Sequence, residues 1–160
     1  MRTKRLEEAL PRSFEVALVN NQMNKIDRAG LWTVLAIAWM ALIYALSDRF
    51  AGDFEGAGEA TSWLPFATTV AHVGLYFVLS GFVLRALLLA RRGSIGLIAY
   101  TTVFIALIYG VLDEVHQSGV EGRASEVGDV VADVFGAVLV VVFWFLVRKY
   151  RAGSSNQSNE

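Results

Sequence analysis

Residues 95–112 read IGLIAYTTVFIALIYGVL, eighteen consecutive positions without a charged side chain. They are followed directly by Asp113-Glu114-Val115-His116-Gln117. A helix of about 20 apolar residues crosses the roughly 30 Å of hydrocarbon in a bilayer. The stretch therefore predicts a transmembrane helix that ends in a group of ionisable residues at one membrane surface.

Three further runs of similar length dominate the composition of the chain. Of its 160 residues, 55% are hydrophobic, and its mean hydropathy is +0.48, which is too apolar for a soluble domain. Charged and glycine-bearing segments separate the runs. We predict an all-α integral membrane protein with a four-helix transmembrane bundle, whose spans are 31–47, 66–90, 95–112 and 130–147.

Basic residues are distributed unevenly among the segments that connect these runs. Twelve of the fourteen lysines and arginines lie before the first run, near the turn between the second and third runs, or after the fourth. The other two connecting segments hold only Arg49 and Arg123 beside nine acidic residues. Because lysine and arginine mark cytoplasmic loops, we predict that both termini are cytoplasmic and that the acidic segments lie outside the plasma membrane.

The predicted transmembrane domain occupies residues 30–150, between two polar ends. The N-terminal segment, 1–29, has apolar residues such as Leu6, Leu10 and Phe14 on one helical face among basic residues, which is typical of a helix lying on the inner leaflet. A mobile cytoplasmic tail interrupted by Pro11 explains the same segment equally well. Residues 151–160 are polar and are predicted to be disordered.

The end of the first run also has the small residues of a signal-peptidase site, Ala45-Leu46-Ser47. The run exceeds the roughly 7–15 residues of a signal-peptide core, and the segment before it is too long for one. We therefore expect the first run to be retained as a transmembrane helix. The chain has no cysteine, which excludes disulfides, thiolate metal sites and a cysteine nucleophile.

Polar side chains recur at helical spacing where three of the runs approach the outer surface. The loop between the third and fourth runs adds Arg123, its only strong cation. Because ionisable residues at membrane depth are costly, their convergence at one depth predicts a functional site. The stripes are His72, Tyr76 and Ser80 in the second run, Tyr109, Asp113, His116 and Gln117 in the third, and Asp129, Asp133 and Gly136 in the fourth.

Each of these residues also has a structural interpretation. His72 is typical of residues that hydrogen-bond between membrane helices, and Asp129 of a residue that caps a helix N-terminus. Asp113 and Glu114 could mark the wet end of a helix, with Arg123 paired to one of them. Asp133 lies one turn deeper than Asp129 and must be partnered or protonated, and His72 and Arg123 are the available partners.

Taken together, these motifs resemble the VanZ-like family of small membrane proteins, over roughly residues 31–147. The matching pattern is His72-x-x-x-Tyr76 in the second run and Tyr44-Ala45-Leu46-Ser47 at the end of the first. The longest part of the pattern surrounds the last loop: Asp113-Glu114-Val115-His116-Gln117, Gly122-Arg123, Asp129, Asp133 and Gly136.

The chain departs from the family pattern at three places. Thr68-Thr69 stands where the family commonly has Asp-Lys, Gly119-Val120-Glu121 replaces Phe-x-Pro, and Asp133 replaces an asparagine. The named family member is associated with low-level resistance to the glycopeptide teicoplanin. The resemblance therefore implies a location and a set of motifs, and it leaves open whether the chain is an enzyme.

We consider first a site in the outer leaflet that acts on, or binds, a lipid-linked or other anionic cell-envelope ligand. Arg123 would engage the anion, because a guanidinium binds phosphate or carboxylate through paired hydrogen bonds. His72 would serve as general acid or base. Asp113 and Glu114 point about 100° apart on a helix, so that one faces the site and the other orients Arg123. The remaining site residues are Asp129, Tyr76, Gln117 and Asp133.

A divalent cation held by His72, Asp113 and Asp129 is a further hypothesis, although no ligand spacing here is diagnostic. No other cofactor and no nucleic acid is expected, whereas membrane lipids are expected partners. The second hypothesis is a non-catalytic binding or interaction protein, for example one that sequesters a glycopeptide, whose polar cluster locks the bundle. A transporter is less well supported, because four spans without an inverted repeat lack the usual architecture.

Overall fold

The computed structural model describes residues 12–47, 64–90, 93–119 and 126–157. They form four α-helices: α1 (Arg12–Ser47), α2 (Leu64–Ala90), α3 (Ile95–Gln117) and α4 (Val127–Gln157). Each helix contains a segment long and apolar enough to cross a membrane: Arg28–Ser47, Thr68–Ala90, Ile95–Gln117 and Val127–Ser154. The four predicted spans are confirmed as four long apolar helices.

The helices extend beyond the predicted spans. α1 runs without a break from Arg12 through position 30, where the transmembrane domain was expected to begin, and α4 continues to Gln157, past residue 151, where disorder was expected. α3 extends to Gln117, so the ionisable motif lies on the helix itself. Hydropathy marks the part of a helix that crosses hydrocarbon, not the point where the helix ends. Leu6, Leu10 and Pro11 lie outside the described residues.

A tight turn leads from α2 into α3. Gly93 has a φ of 93°, and a side chain there would lie 2.7 Å from a terminal carbon of Leu97, so glycine is required. Ser94 then caps α3, because its hydroxyl accepts a hydrogen bond from the Leu97 amide at 3.3 Å. This turn holds α2 and α3 side by side.

The central helix of the bundle is α2, which packs against all three other helices. Its contacts with α4 and α1 are the most extensive, whereas α1 barely touches α3. The largest apolar core surrounds Tyr76 and Leu79, and small residues of the neighbouring helices face it: Ala36, Ala106 and Ala137. Small residues allow the backbones of membrane helices to approach closely.

The backbones of α2 and α4 approach each other closely at Gly136. A Cβ atom there would lie closer to the Val73 carbonyl oxygen than real side-chain atoms come, and 3.0 Å from the Phe77 amide nitrogen. Across the bundle, Gly110 of α3 lies against the Asp133 carboxylate. These two glycines bring α3 and α4 up to the polar face of α2 that carries His72.

Candidate functional site

Most of the buried polar side chains lie at one end of the bundle, where α1 and α3 finish and α4 begins. We call this the acidic end. Burial of a polar group is costly unless it is hydrogen-bonded, so the partners of each group indicate its role. The buried polar residues at this end are Ser47, His72, Asp113, Glu114, Gln117 and Asp133.

His72 and Asp133 form a buried pair between α2 and α4. The His72 Nδ1 atom lies 2.9 Å from Asp133 Oδ1, and the side chain of Asp133 is fully buried. The expected partnership of these two residues is confirmed. It follows from the spacing of the helices, since the contact at Gly136 sets the two backbones close together less than one turn below Asp133.

Asp129 lies on the other side of the same imidazole ring. Its Oδ2 atom is 3.8 Å from His72 Nε2, and its side chain is 16% exposed. This distance is too long for a hydrogen bond but short enough for electrostatic attraction. Within the described residues, Nε2 therefore makes no hydrogen bond and faces a partly exposed carboxylate. The ring therefore lies between the buried carboxylate of Asp133 and the partly exposed carboxylate of Asp129.

Three buried polar atoms of α2 and α4 make no hydrogen bond of standard geometry to a residue that the structure describes, although two of them, on Tyr76 and Asp133, interact with each other. They are the hydroxyl groups of Tyr76 and Ser80 and the second carboxylate oxygen of Asp133, Oδ2. Oδ2 lies against Gly110, where an added Cβ would be 2.7 Å away. Such atoms are rare in folded proteins and call for a specific explanation. Tyr76, predicted to contact a ligand, is fully buried beneath His72.

Asp113 belongs to a second network, which joins α1 to α3. Its Oδ1 accepts a hydrogen bond from the Ser47 hydroxyl at 2.8 Å, and its Oδ2 accepts one from the Gln117 amide at 2.9 Å. The same amide nitrogen donates to Ser47 at 3.2 Å. We expected Asp113 and Gln117 to face the site of His72. They close a triangle with Ser47, a residue that the polar stripes did not include, and Asp113 is also near enough to His72 and Asp133 to act on them electrostatically.

Glu114 reaches the beginning of α4. Its Oε2 accepts a hydrogen bond from the backbone amide of Glu126 at 3.0 Å, and the Glu126 carbonyl in turn accepts one from the Asp129 amide. Free amides at a helix N-terminus favour a negative group. Glu114 therefore caps α4 and ties together the two ends of the loop that contains Arg123. Arg123 lies outside the described residues, so its expected pairing with an acid stays a prediction.

The second histidine of the chain lies apart from this site. The ring of His116 stacks on Tyr44 of α1, with ring centroids 4.2 Å apart and an angle of 27° between the planes. Thus the two histidines at the acidic end have different surroundings, one ionic and one aromatic.

The structure does not assemble the proposed cation ligands. Among the described residues, no three histidine, cysteine or carboxylate side chains form a group that could hold a metal ion. Asp113 is occupied by Ser47 and Gln117, whereas His72 and Asp129 face one another. The ligand set of His72, Asp113 and Asp129 is therefore not supported.

A shallow groove of about 340 Å³ lies between α3 and α4 at the acidic end. Its walls are mainly valine, and Glu114 and Ser118 supply the polar part. The groove runs along the surface that is otherwise covered with exposed apolar side chains such as Val115 and Val131. It can hold an apolar chain beside the polar site.

Comparison with known proteins identifies one relationship. The model of a family described as VanZ/LLP1 matches residues 32–148 of the chain, which include α2 and α3, parts of α1 and α4, and every residue of the predicted site. No curated protein and no solved structure matches the chain.

Proposed function

The chain belongs to the VanZ/LLP1 family, and from this premise we propose that it binds an anionic, lipid-linked ligand of the cell envelope. The site is the acidic end of the bundle, exposed at the outer leaflet of the bacterial plasma membrane. His72 carries out proton transfer there, and the activity contributes to resistance to teicoplanin.

The position of His72 between two unlike carboxylates is the observation that carries this proposal. Asp133 orients the ring through Nδ1 from a fully buried position, and Nε2 remains directed toward Asp129. This is the arrangement of a general acid or base that a neighbouring group holds in one orientation. A histidine with a purely structural role would be expected to use both nitrogens in hydrogen bonds.

Arg123 is the proposed binding group for the anion. It lies in the loop whose ends Glu114 ties together, close in sequence to Asp129. A guanidinium binds phosphate through two parallel hydrogen bonds, which an ammonium cannot do. The valine-lined groove between α3 and α4 supports a ligand with an apolar chain, since the chain would lie beside the polar site.

The alternative is a non-catalytic binding protein whose polar residues hold the helices together. The network of Ser47, Asp113 and Gln117 favours it, because these hydrogen bonds are buried and connect α1 to α3, which otherwise hardly touch. Such networks specify helix packing in membranes. The two functions differ in what they require of His72.

A substitution of His72 distinguishes them. In His72→Asn, the amide occupies the place of Nδ1 and keeps a hydrogen bond to Asp133, but nothing replaces Nε2. We expect a bacterium that expresses the chain to lose its increase in teicoplanin minimum inhibitory concentration, with membrane abundance unchanged on immunoblots. His116→Asn is the matched control and should keep the resistance. Full resistance in His72→Asn would rule out proton transfer, and failure to accumulate would favour the structural alternative.

Arg123→Lys tests the anion-binding group. Lysine keeps the charge but loses the planar pair of donors, so resistance should disappear while the protein accumulates normally. If the variant does not accumulate, Arg123 is structural. If it is fully active, a point charge suffices and the proposed phosphate geometry is wrong.

The proposed orientation places both termini in the cytoplasm. Reporter fusions within residues 53–60 and 119–126 should give an external signal, and a fusion at residue 92 an internal one. The prediction rests on the distribution of basic residues. A cytoplasmic signal from a fusion at residue 121 would place the acidic end on the wrong side for a ligand of the outer leaflet.

A further inference from the structure

A surface groove in the other half of the bundle is lined by a basic residue, in contrast to the acidic end. α2 and α4 border a surface groove of about 210 Å³, about half a helix length from His72. A side chain added at Gly81 would meet nothing within 4 Å, so the groove is open at this glycine. Its walls are apolar except for one arginine, and they include Leu84, Arg85, Val140, Phe143 and Trp144.

Arg85 is the charged residue that lines this groove. Its side chain is exposed, and it forms no ion pair with any side chain that the structure describes. α2 contains no acidic residue, and neither does α4 beyond Asp133. The two helices that border the groove therefore offer no carboxylate near it.

A second cation, Arg148, contacts a residue of the groove wall without lining the groove itself. Its guanidinium is 5.4 Å from the centre of the Trp144 ring, within the range of cation–π attraction, and Trp144 lines the groove. One guanidinium thus lines the apolar groove, and a second is held against its tryptophan.

The depth of Arg85 matches the head-group region. It lies five residues before the end of α2 at Ala90, or about 7.5 Å along the helix axis. An arginine side chain can extend over that distance to place its charge at the membrane surface while its methylene groups stay in the apolar region. The open groove then continues from the charge toward the bilayer centre, at Gly81.

We propose that this groove is a binding site for an anionic phospholipid. One acyl chain lies against Gly81 and Leu84, and Arg85 and Arg148 bind the phosphate-bearing head group. The charge complementarity decides the class of lipid, because two neighbouring cations favour a head group with net negative charge over a zwitterionic one. The site is separate from the acidic end and does not depend on the function proposed there.

Fluorescence quenching by brominated lipids tests this proposal. The full-length protein is placed in phosphatidylcholine nanodiscs that contain a small fraction of phosphatidylglycerol brominated on its acyl chains. Bromine quenches tryptophan only at close range, and Trp144 lies in the groove. We expect stronger quenching than with the same fraction of brominated phosphatidylcholine, and the excess should disappear in Trp144→Phe. Equal quenching by the two lipids would overturn the proposal.

Two variants separate the head group from the acyl chain. Arg85→Gln should lower the preference for phosphatidylglycerol by about fivefold, whereas Arg28→Gln, an exposed arginine of α1, should not change it. Gly81→Leu keeps both cations but fills the groove and should reduce quenching of Trp144. An unchanged preference in Arg85→Gln, unchanged quenching in Gly81→Leu, or displacement of the lipid by millimolar inorganic phosphate would each contradict a lipid site.

Discussion

The network that joins α1 to α3 and the pair that joins α2 to α4 lie at the same end of the bundle, but their polar atoms are used differently. Both carboxylate oxygens of Asp113 accept hydrogen bonds from side chains. In contrast, Asp133 uses one oxygen for His72 and leaves the other without a hydrogen bond within the described residues. The side chains of Ser47, Asp113 and Gln117 thus bond to one another, whereas the Asp133 carboxylate has an oxygen that can accept a further hydrogen bond.

This difference assigns separate roles to acids that look alike in sequence. A closed network contributes to stability and specifies how the helices pack. On the proposed function, a histidine whose Nε2 makes no hydrogen bond within the described residues and faces a partly exposed Asp129 exchanges a proton with a ligand. Asp113 is therefore expected to matter for abundance, and Asp129 for activity.

The largest effect is expected from Asp113→Leu. This change removes both acceptors that the Ser47 hydroxyl and the Gln117 amide use, at about 1–3 kcal/mol for each lost acceptor. Destabilisation of this size lowers steady-state abundance several-fold. Immunoblots of membranes should show the loss, with α1 released from α3 and more easily cleaved by protease.

Asp113→Asn is the matched control. Its oxygen can still accept from Ser47, and its amide can donate to Gln117 once the Gln117 side chain turns over. The Gln117 Oε1 atom is available for this, as it has no hydrogen bond within the described residues. We expect near-normal abundance. Equal loss in both variants would mean that the charge of Asp113, not its hydrogen bonds, holds the network.

The substitution Gly136→Ala tests the contact between α2 and α4. In Gly136→Ala the new methyl group would press on the backbone of Val73, which cannot move aside as a side chain can. Overpacking of this kind costs about 1–3 kcal/mol, and the displaced helices would lengthen the distance between His72 and Asp133. Both thermal stability in detergent and teicoplanin resistance should fall. Gly128→Ala, on the same helix with open space around it, should change neither.

Resistance assays on two variants distinguish the role of Asp129 from that of Asp133. Asp133→Asn keeps an oxygen for His72 Nδ1 and removes a carboxylate whose burial at membrane depth would cost about 2.5–3.5 kcal/mol if unpaired. We expect it to preserve abundance and function. Asp129→Asn removes the charge that faces Nε2 and should impair function at normal abundance. The opposite result in resistance assays would place the essential carboxylate at Asp133.

The smallest effect is expected from Tyr76→Phe. The Tyr76 hydroxyl is buried and its contact with Asp133 lacks standard hydrogen-bond geometry, so its removal should change thermal stability little. Resistance should then be retained. A loss of resistance at unchanged stability would show instead that the hydroxyl contacts the ligand or a bound water.

The helices were easier to predict from sequence than their ends. Bilayer thickness sets a minimum apolar length, which identified all four spans. It does not govern a helix beyond the hydrocarbon, so the start of α1 at Arg12 and the end of α4 at Gln157 were not foreseen. Hydropathy gives no signal there, and the glycine, serines and asparagine at the end of α4 are weak helix formers, so propensity did not indicate the extension either.

The polar site could be predicted only in part, for a geometric reason. Helical spacing shows which residues share a face of one helix. Together with their similar depth in the membrane, this was enough to predict that His72 could contact Asp133. It does not show how each helix is rotated toward its neighbours. The rotation of α3 brings Asp113 and Gln117 to the end of α1, where they bind Ser47.

The triangle of Ser47, Asp113 and Gln117 also has a consequence for biosynthesis. Of the four described helices, α1, which ends at Ser47, leaves the ribosome before α3, which ends with Asp113 and Gln117. Until α3 is synthesised, α1 has only α2 to pack against, and the acceptor for Ser47 does not yet exist. The triangle therefore closes late, and it sets an order of assembly in which insertion of the third helix retains the first in the bundle.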